Sequence, residues 1–291
     1  MAAGGALRGR LLCVTVADFP TAAVPDAATI ADLTEAADQT EAVASGATVA
    51  AMLNPLLDLP DVRSSLDTAR EAVDAALRHP ALRRSGGSVA AEAGLRSAVA
   101  SAALEGHGYD LDEVRAGTVT DPVLQGAVRV AREVDGMARL WTKVPRQVLA
   151  RVHVLAGRDV VEDGTLGRPV SVEVMPRLSG LLSLVGGTAT VPTLLLAAVV
   201  HGELLALRPF TGPSGVVARA AARLTLVAGG LDPRGLLAPE VGHLVREPEY
   251  VGAANAFATG TPDGLRAWVR HYAAAVELAA AEVVTIGDGF A

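Results

Sequence analysis

The residues best suited to chemistry lie in one stretch, His201 to Arg223, which reads HGELLALRPFTGPSGVVARAAAR. An apolar helical run ends near Leu207, the loop RPFTGPSG follows, and a second helical run begins near Val216. Proline disfavours helical geometry in the preceding residue, so the first helix is predicted to end around Arg208. A loop leading into a helix N-terminus can bind an anion, because unpaired N–H groups and the helix dipole face it. The other interpretation is a helix connection without a ligand.

Several side chains in and near this loop allow more than one role. Ser214 is a candidate N-cap, whose hydroxyl would accept from amides of the next turn. Arg208 could bind a phosphate through paired hydrogen bonds, or it could be a solvated cation at the negative end of the helix dipole. His153 and His201 lie on apolar helical segments and are interpreted as core histidines rather than metal ligands. No metal site is predicted, and the one cysteine, Cys13, excludes an internal disulfide or a cysteine-based zinc site.

The loop resembles the active-site motif of the Fic domain family, H-P-F-x-x-G-N-G-R-x-x-R. Members of that family mostly transfer AMP from ATP to a protein hydroxyl. The aligned segment runs from Arg208 to Arg219, and the matching residues are Pro209, Phe210, Gly215 and Arg219. His201 lies seven residues before the motif, where the family often has a histidine.

The departures from the motif affect its catalytic groups. Arg208 replaces the histidine that acts as the base, and Thr211 replaces an acidic residue that usually holds magnesium. Ser214 and Val216 replace the asparagine and arginine that hold the phosphates, and Pro213 removes an amide donor. Arginine keeps its proton at physiological pH, so Arg208 cannot act as a base.

The resemblance therefore implies a degenerate Fic-fold protein. We predict that it lacks AMP-transferase activity and acts as a regulatory or binding protein. Residual nucleotide or anion binding would use Arg208, Ser214, Gly215 and Arg219, with ATP as the candidate ligand. The alternative is a nucleotidyl or related phosphate-group transferase that modifies protein hydroxyls with altered chemistry. A third interpretation limits the resemblance to the fold, with the loop binding some unrelated anion.

A second pattern lies upstream of the loop. Residues 101–106 read SAALEG and fit the family pattern [ST]-x-x-x-E-[GN], with Ser101, Glu105 and Gly106 at its defined positions. In relatives this is an inhibitory helix, whose glutamate pairs with the last arginine of the motif and blocks the γ-phosphate of the nucleotide. The resemblance implies a pair between Glu105 and Arg219. The other interpretation is that Glu105 is an ordinary exposed carboxylate at a helix end.

Alternating valines at positions 170, 172 and 174 predict a strand. The family has a β-hairpin flap here, and the resemblance implies a small hairpin between Gly164 and Val174 that includes Arg168, Val170 and Val172. Such a flap would hold an unknown protein partner by adding its peptide as a strand. The other interpretation is a surface hairpin without a partner.

The elements around these residues are predicted to be helices, which gives an all-α fold of the Fic-like multi-helix type with the small β-hairpin flap. The segment after Pro192 is apolar on nearly all sides, so it should be the buried centre. Residues 83–88 are predicted to be a polar loop, with Ser88 as the N-cap of the next helix. Residues 231–245 are predicted to be more loosely helical. The predicted helices are 26–51 with a break near 45–46, 61–77, 88–104, 121–141, 145–156, 176–186, 192–207 and 216–228, and the resemblance implies closing helices within 247–282.

The length and composition of the chain limit the number of domains and the kinds of partner. The 291 residues, 51% of them apolar, suffice for one large or two small domains. We predict a mainly helical N-terminal extension, 1–87, and a Fic-like domain, 88–291, with its core at about 145–235; one compact unit is the alternative.

The net charge of −7 argues against nucleic-acid binding, which usually requires a basic surface. No apolar run reaches ~18 residues and no signal-peptide segment is evident, so we expect no membrane span and a cytoplasmic protein.

Overall fold

The structure is a computed structural model and describes residues 53–187 and 191–290. Within these ranges it is helical and contains no strand, which confirms the predicted all-α class. Residues 53–57 are also helical, and a 3₁₀ turn spans Asp163–Thr165. The helices are α1 (Val62–Leu77), α2 (Leu82–Ala103), α3 (Leu111–Arg115), α4 (Pro122–Trp141), α5 (Pro145–Gly157), α6 (Met175–Gly186), α7 (Thr193–Leu207), α8 (Ser214–Ala228), α9 (Pro239–Val245), α10 (Glu247–Ala258) and α11 (Pro262–Gly289).

Helices α7 and α8 form the centre of the fold. α7 is buried on several faces, as its apolar sequence predicts, and it packs against α6, α8, α10 and α11. In α8 every residue from Gly215 to Leu226 is buried. One apolar cluster lies between α7 and the helices α1, α10 and α11, and a second lies between α8 and the helices α4, α5 and α6. The loop that joins α7 to α8 is therefore held at both ends by buried helices.

The long helix α11 closes the molecule by packing against α1. Leu66, Ala69 and Val73 of α1 are buried at the three- and four-residue spacing that predicted this helix. The division predicted between residues 87 and 88 falls inside α2. Cys13 and the other residues up to 52 lie outside the described part of the chain.

The prediction of a polar loop at residues 83–88 is wrong, because α2 already begins at Leu82 and continues through this stretch. Ser88 is therefore an interior residue and not an N-cap. Glycine in a helix costs roughly 0.5–1 kcal/mol relative to alanine, which is why Gly86 and Gly87 suggested a loop. Leu82 and Val89 are buried on either side of them, and this packing outweighs the local preference.

The helical region predicted from 231 to 245 is shorter than expected. Only Pro239–Val245 is helical, and the preceding residues form a turn. The buried carboxylate of Asp232 accepts the N–H groups of Leu236 and Leu237 at 2.9 and 2.8 Å. Because this side chain satisfies the backbone donors, the turn is a stable alternative to a helix.

The β-hairpin flap predicted between Gly164 and Val174 is not present. After the 3₁₀ turn, Gly167 takes a left-handed conformation with φ 72°, and turns and bends lead into α6. A hairpin needs two paired arms, and the valine alternation supplies only one. Val170 instead donates its N–H to the carbonyl oxygen of Pro209 at 2.9 Å. Val170 and Val172 are 48% and 77% exposed, so their alternation does not mark a buried face.

Candidate functional site

The loop between α7 and α8 begins with a sharp change of direction at Arg208. This residue ends α7 in the left-handed conformation, with φ 44° and ψ 61°, and its N–H donates to the carbonyl of Leu204 at 3.0 Å. The helix thus ends where Pro209 predicted. Left-handed geometry costs a non-glycine residue roughly 1–2 kcal/mol, so the contacts on either side of Arg208 must hold it in place.

Ser214 does not cap α8 as predicted, because it is the first residue of the helix and follows Pro213. Its hydroxyl donates back into the loop, to the carbonyl oxygens of Phe210 at 3.0 Å and Gly212 at 3.4 Å. Its N–H donates to the carbonyl of Gly212 at 2.7 Å. Since Pro213 has no N–H and that of Ser214 is used within the loop, two adjacent positions lose an amide donor for a bound anion.

The pair expected between Glu105 and Arg219 is present. An Nη2 proton of Arg219 is donated to Oε1 of Glu105 at 2.7 Å, although the residues lie 114 positions apart. The guanidinium also donates to the Ser101 hydroxyl at 2.9 Å and to the Ser101 carbonyl at 2.8 Å. The two side chains are only 1% and 10% exposed, for Arg219 and Glu105 respectively. Ser101 and Glu105 of the second pattern therefore both contact the last arginine of the loop motif.

Gly215 allows the Glu105 carboxylate to approach α8 this closely. A Cβ atom at this position would lie 2.0 Å from Glu105 Oε1 and 2.8 Å from Arg219 Nη1. The carboxylate therefore lies against the first turn of α8, where unpaired N–H groups and the dipole favour an anion. Gly106 then turns the chain away from the end of α2 with φ 87°, a conformation that suits glycine.

On its other side, Arg219 faces a buried cluster of aromatic and histidine rings. Its Nη1 donates to the Tyr250 hydroxyl at 3.2 Å, and that hydroxyl lies 3.1 Å from Nε2 of His201. Burial opposes the charge of Arg219, but Tyr250 and Glu105 outweigh it and raise the pKa. Burial, followed by the charges of Arg219 and His271, holds the pKa of His201 well below its usual range. His201 is thus a buried core histidine, as interpreted from the sequence, although its Nδ1 has no hydrogen-bond partner among the described residues.

The cluster extends to residues that sequence reasoning did not single out as functional. Nδ1 of His243 lies 3.0 Å from Nε2 of His271, and both rings pack against Trp268. Burial holds the pKa of His243 well below its usual range and lowers that of His271 to about 4. His271 could have been noticed as a polar residue inside the apolar stripe of α11, whereas His243 lies on the short helix α9.

His153 lies on the opposite side of the loop and joins it to the segment that replaces the predicted flap. Its Nε2 is 2.8 Å from the carbonyl oxygen of Thr211, and its Nδ1 accepts the N–H of Gly167 at 2.9 Å. Its ring stacks on Phe210, with centroids 4.6 Å apart. His153 is thus the core histidine that the sequence suggested. No group of three His, Cys, Asp or Glu residues suited to a metal occurs in the described part of the chain.

Residues 160–170, called here the covering segment, pack directly onto the motif loop. Gly212 has φ 80°, and a Cβ atom there would lie 2.4 Å from Cγ1 of Val161. The Thr211 hydroxyl is 3.5 Å from the Thr165 hydroxyl. Thr211, the residue at the acidic position of the motif, is therefore engaged by the covering segment through its side chain and by His153 through its carbonyl. Arg168 in this segment is exposed.

Comparison with known proteins identifies the fold. No protein-family model matches the chain, and no curated protein matches it. A Fic family protein from Desulfovibrio desulfuricans G20 superposes with a TM-score of 0.63 and 20% identity over 78% of this chain and 74% of that chain. A fragment of Fic-1 from C. elegans superposes with a TM-score of 0.61 and 19% identity over 82% of this chain and 76% of that chain. The protein therefore contains a Fic-fold domain.

In residues 53–187 and 191–290, no helix combines the length and the apolar character needed to cross a bilayer.

Proposed function

We propose that this protein is a Fic-fold binding protein with a regulatory role and without AMP-transferase activity. The observation that carries the proposal is that the motif loop lacks a base and has contacts on two sides. Glu105 lies against the first turn of α8, at 2.7 Å from Arg219. The covering segment contacts Thr211 and Gly212 on the other side.

The missing base is the chemical argument. Transfer of AMP to a hydroxyl needs a group that removes its proton, and the guanidinium at position 208 stays protonated. Loss of a general base typically lowers a rate by about 10²–10⁴. Donors for the developing phosphate charge are also fewer, because position 213 is proline and position 216 is valine. Since each such donor contributes separately to the transition state, these losses compound.

Anion binding at the loop would use what remains of the motif. The first-turn N–H groups of α8 at Gly215 and Val216 have no carbonyl partner within the helix, and Arg219 supplies a positive charge next to them. A nucleotide phosphate, with ATP as the proposed ligand, would have to displace the Glu105 carboxylate from this position. The exposed Val170 and Val172 are the proposed contact for a protein partner.

The absence of transfer is tested by mass spectrometry. The full chain is incubated with ATP and Mg²⁺, alone and with a lysate of the host, and peptides are searched for the mass of an added AMP group. The expected result is no modification above that of a heat-denatured control. Robust transfer that disappears in Arg208→Ala would overturn the proposal and support the transferase alternative.

Residual binding is tested separately by the shift in melting temperature with ATP, ADP or inorganic phosphate. Removal of the carboxylate in Glu105→Ala should increase the shift caused by ATP relative to the wild type. A ligand at about 100 times its Kd adds about 2.7 kcal/mol of stability, which is several degrees for many domains. Glu71→Ala, which removes an exposed glutamate of α1, is the matched control. If no ligand shifts either protein, the loop is not a nucleotide or phosphate site.

A further inference from the structure

His153 connects three parts of the molecule through its ring. It stands on α5, contacts the motif loop at Thr211 and Phe210, and contacts the covering segment at Gly167. The residue is buried. Both ring nitrogens bond to backbone groups, so the contacts do not depend on the rotamer of another side chain.

The two hydrogen bonds define the protonation state of the ring. A carbonyl oxygen only accepts, so the contact with Thr211 places a proton on Nε2. A backbone N–H only donates, so the contact with Gly167 requires a lone pair on Nδ1. The ring is therefore neutral, with its proton on Nε2. A second proton, on Nδ1, would point at the N–H of Gly167, and two donors would face each other in a buried site.

We propose that His153 is a pH-sensitive latch: the neutral ring holds the covering segment on the motif loop, and protonation of Nδ1 releases the segment at Gly167. A proton at Nδ1 leaves the Thr211 bond intact and removes the Gly167 bond. The change therefore acts first on the covering segment and exposes the Thr211–Gly212 side of the loop. The inference goes beyond the proposed function, because it holds whatever ligand the loop binds.

The surroundings of the ring agree with this direction. Burial lowers the pKa of His153, and the bond to the Thr211 carbonyl opposes that effect. The neighbouring elements carry Arg129, which pairs with Asp159 at 2.8 Å, and Arg177, which pairs with Glu203 at 2.7 Å. The covering segment carries Glu162, Asp163 and Arg168, and the loop carries Arg208. None of these forms one of the two bonds to the ring nitrogens, since both go to backbone.

The sign of the pH effect follows from linkage. An exposed histidine has a pKa of about 6.5, so the open conformation binds a proton more readily than the closed one. The population of the closed conformation is therefore greatest above about pH 6.5 and decreases as the pH falls below that value. For one proton, the open population rises by a factor that approaches ten for each pH unit.

The test is hydrogen exchange of the Gly167 amide in the ¹⁵N-labelled full chain, without ligand, between pH 7.5 and 5.5. After correction for the intrinsic pH dependence of exchange, the protection of Gly167 should fall as the pH drops below about 6.5, approaching tenfold per pH unit. The amide of Val200, in the buried helix α7, reports the pH dependence of global unfolding, and Gly167 should be less protected than Val200 at every pH. A Gly167 protection that does not change with pH would overturn the proposal.

Two further measurements separate the latch from a merely structural contact. In His153→Asn, the side-chain oxygen can still accept from Gly167 but does not titrate, so the protection should become independent of pH. An equal pH dependence in this variant would show that another group is responsible. In the wild type, the ¹⁵N shifts of the ring report its protonation directly, even if the variant fails to fold. A neutral ring with its proton on Nδ1 would also overturn the proposal.

Discussion

At the scale of single residues, Arg219 is held by more than its ion pair. Among the described residues it donates four hydrogen bonds, and only one of them goes to Glu105. The Ser101 hydroxyl, the Ser101 carbonyl and the Tyr250 hydroxyl remain when the carboxylate is removed. Loss of the carboxylate therefore leaves a buried cation that keeps three acceptors but has lost its salt bridge.

This arrangement predicts the energetic effect of Glu105→Ala. A hydrogen bond to a charged group contributes about 1.5–3 kcal/mol, so the free energy of unfolding should fall by about that amount. Removal of the only partner of a buried charge would cost more, about 3–5 kcal/mol. Urea denaturation measures the change, and Glu71→Ala should stay within about 0.5 kcal/mol of the wild type.

The coupling between the two residues is a check on the same contact. Arg219→Ala also leaves a cavity and an unpartnered carboxylate, so it should cost more than Glu105→Ala. The double variant should cost less than the sum of the two single variants, because the shared contact is counted once. Strictly additive effects would contradict the contact seen in the structure.

At the scale of elements, close approach of helices depends on single glycines. α4 packs on α5 at Gly126, where a Cβ atom would lie 2.2 Å from the carbonyl oxygen of Ala156. The backbone cannot move away as a flexible side chain could. On the exposed side of the same helix, Gly136 has no atom within 4 Å of its Cβ position.

The two positions therefore predict opposite effects of the same substitution. Gly126→Ala should lower the free energy of unfolding by about 1–3 kcal/mol, because it overpacks the contact between α4 and α5. Gly136→Ala should raise it by about 0.5–1 kcal/mol, because alanine favours the helix without a new contact. Thermal or urea denaturation of the two variants against the wild type decides the sign of each. Equal effects at both positions would contradict the described packing.

At the scale of the whole molecule, the buried histidines make stability depend on pH. Burial lowers the pKa of His271 to about 4, whereas an unfolded histidine titrates near 6.5. Between these values the unfolded chain binds more protons than the folded chain. The free energy of unfolding is therefore highest above about pH 6.5 and falls as the pH decreases toward 4. Burial raises the pKa of Glu240, which acts in the opposite direction.

Comparison with His271→Asn isolates the histidine, because the carboxylates are present in both proteins. Between about pH 6.5 and 4, the wild type should lose up to about 1.4 kcal/mol per pH unit more than the variant. Between pH 7 and 8 the difference in the free energy of unfolding should stay constant. Urea denaturation at a series of pH values provides the measurement, and equal slopes below pH 6 would show that His271 does not titrate as described.

Local signals in the sequence were sufficient for the elements and for part of the site. Apolar residues at helical spacing predicted most helices within a few residues. The end of α7 at Arg208 follows from the ring of Pro209, which is a steric effect between neighbours. The identity of Arg208 itself excludes a histidine base at that position. These features depend on residues close together in the chain.

The remaining features depend on contacts between distant residues, so only the tertiary structure decided them. The start of α2 at Leu82 needs the buried surface that holds its glycines in a helix. The covering segment is not a hairpin because it bonds to the motif loop, about forty residues away, rather than to a second arm of its own. The pair between Glu105 and Arg219 was expected from a family resemblance. The burial of the pair and the four hydrogen bonds that Arg219 donates were not expected from the sequence. His153 was visible only as a polar residue in an apolar helix, because its role is defined by two backbone groups that the sequence does not place beside it.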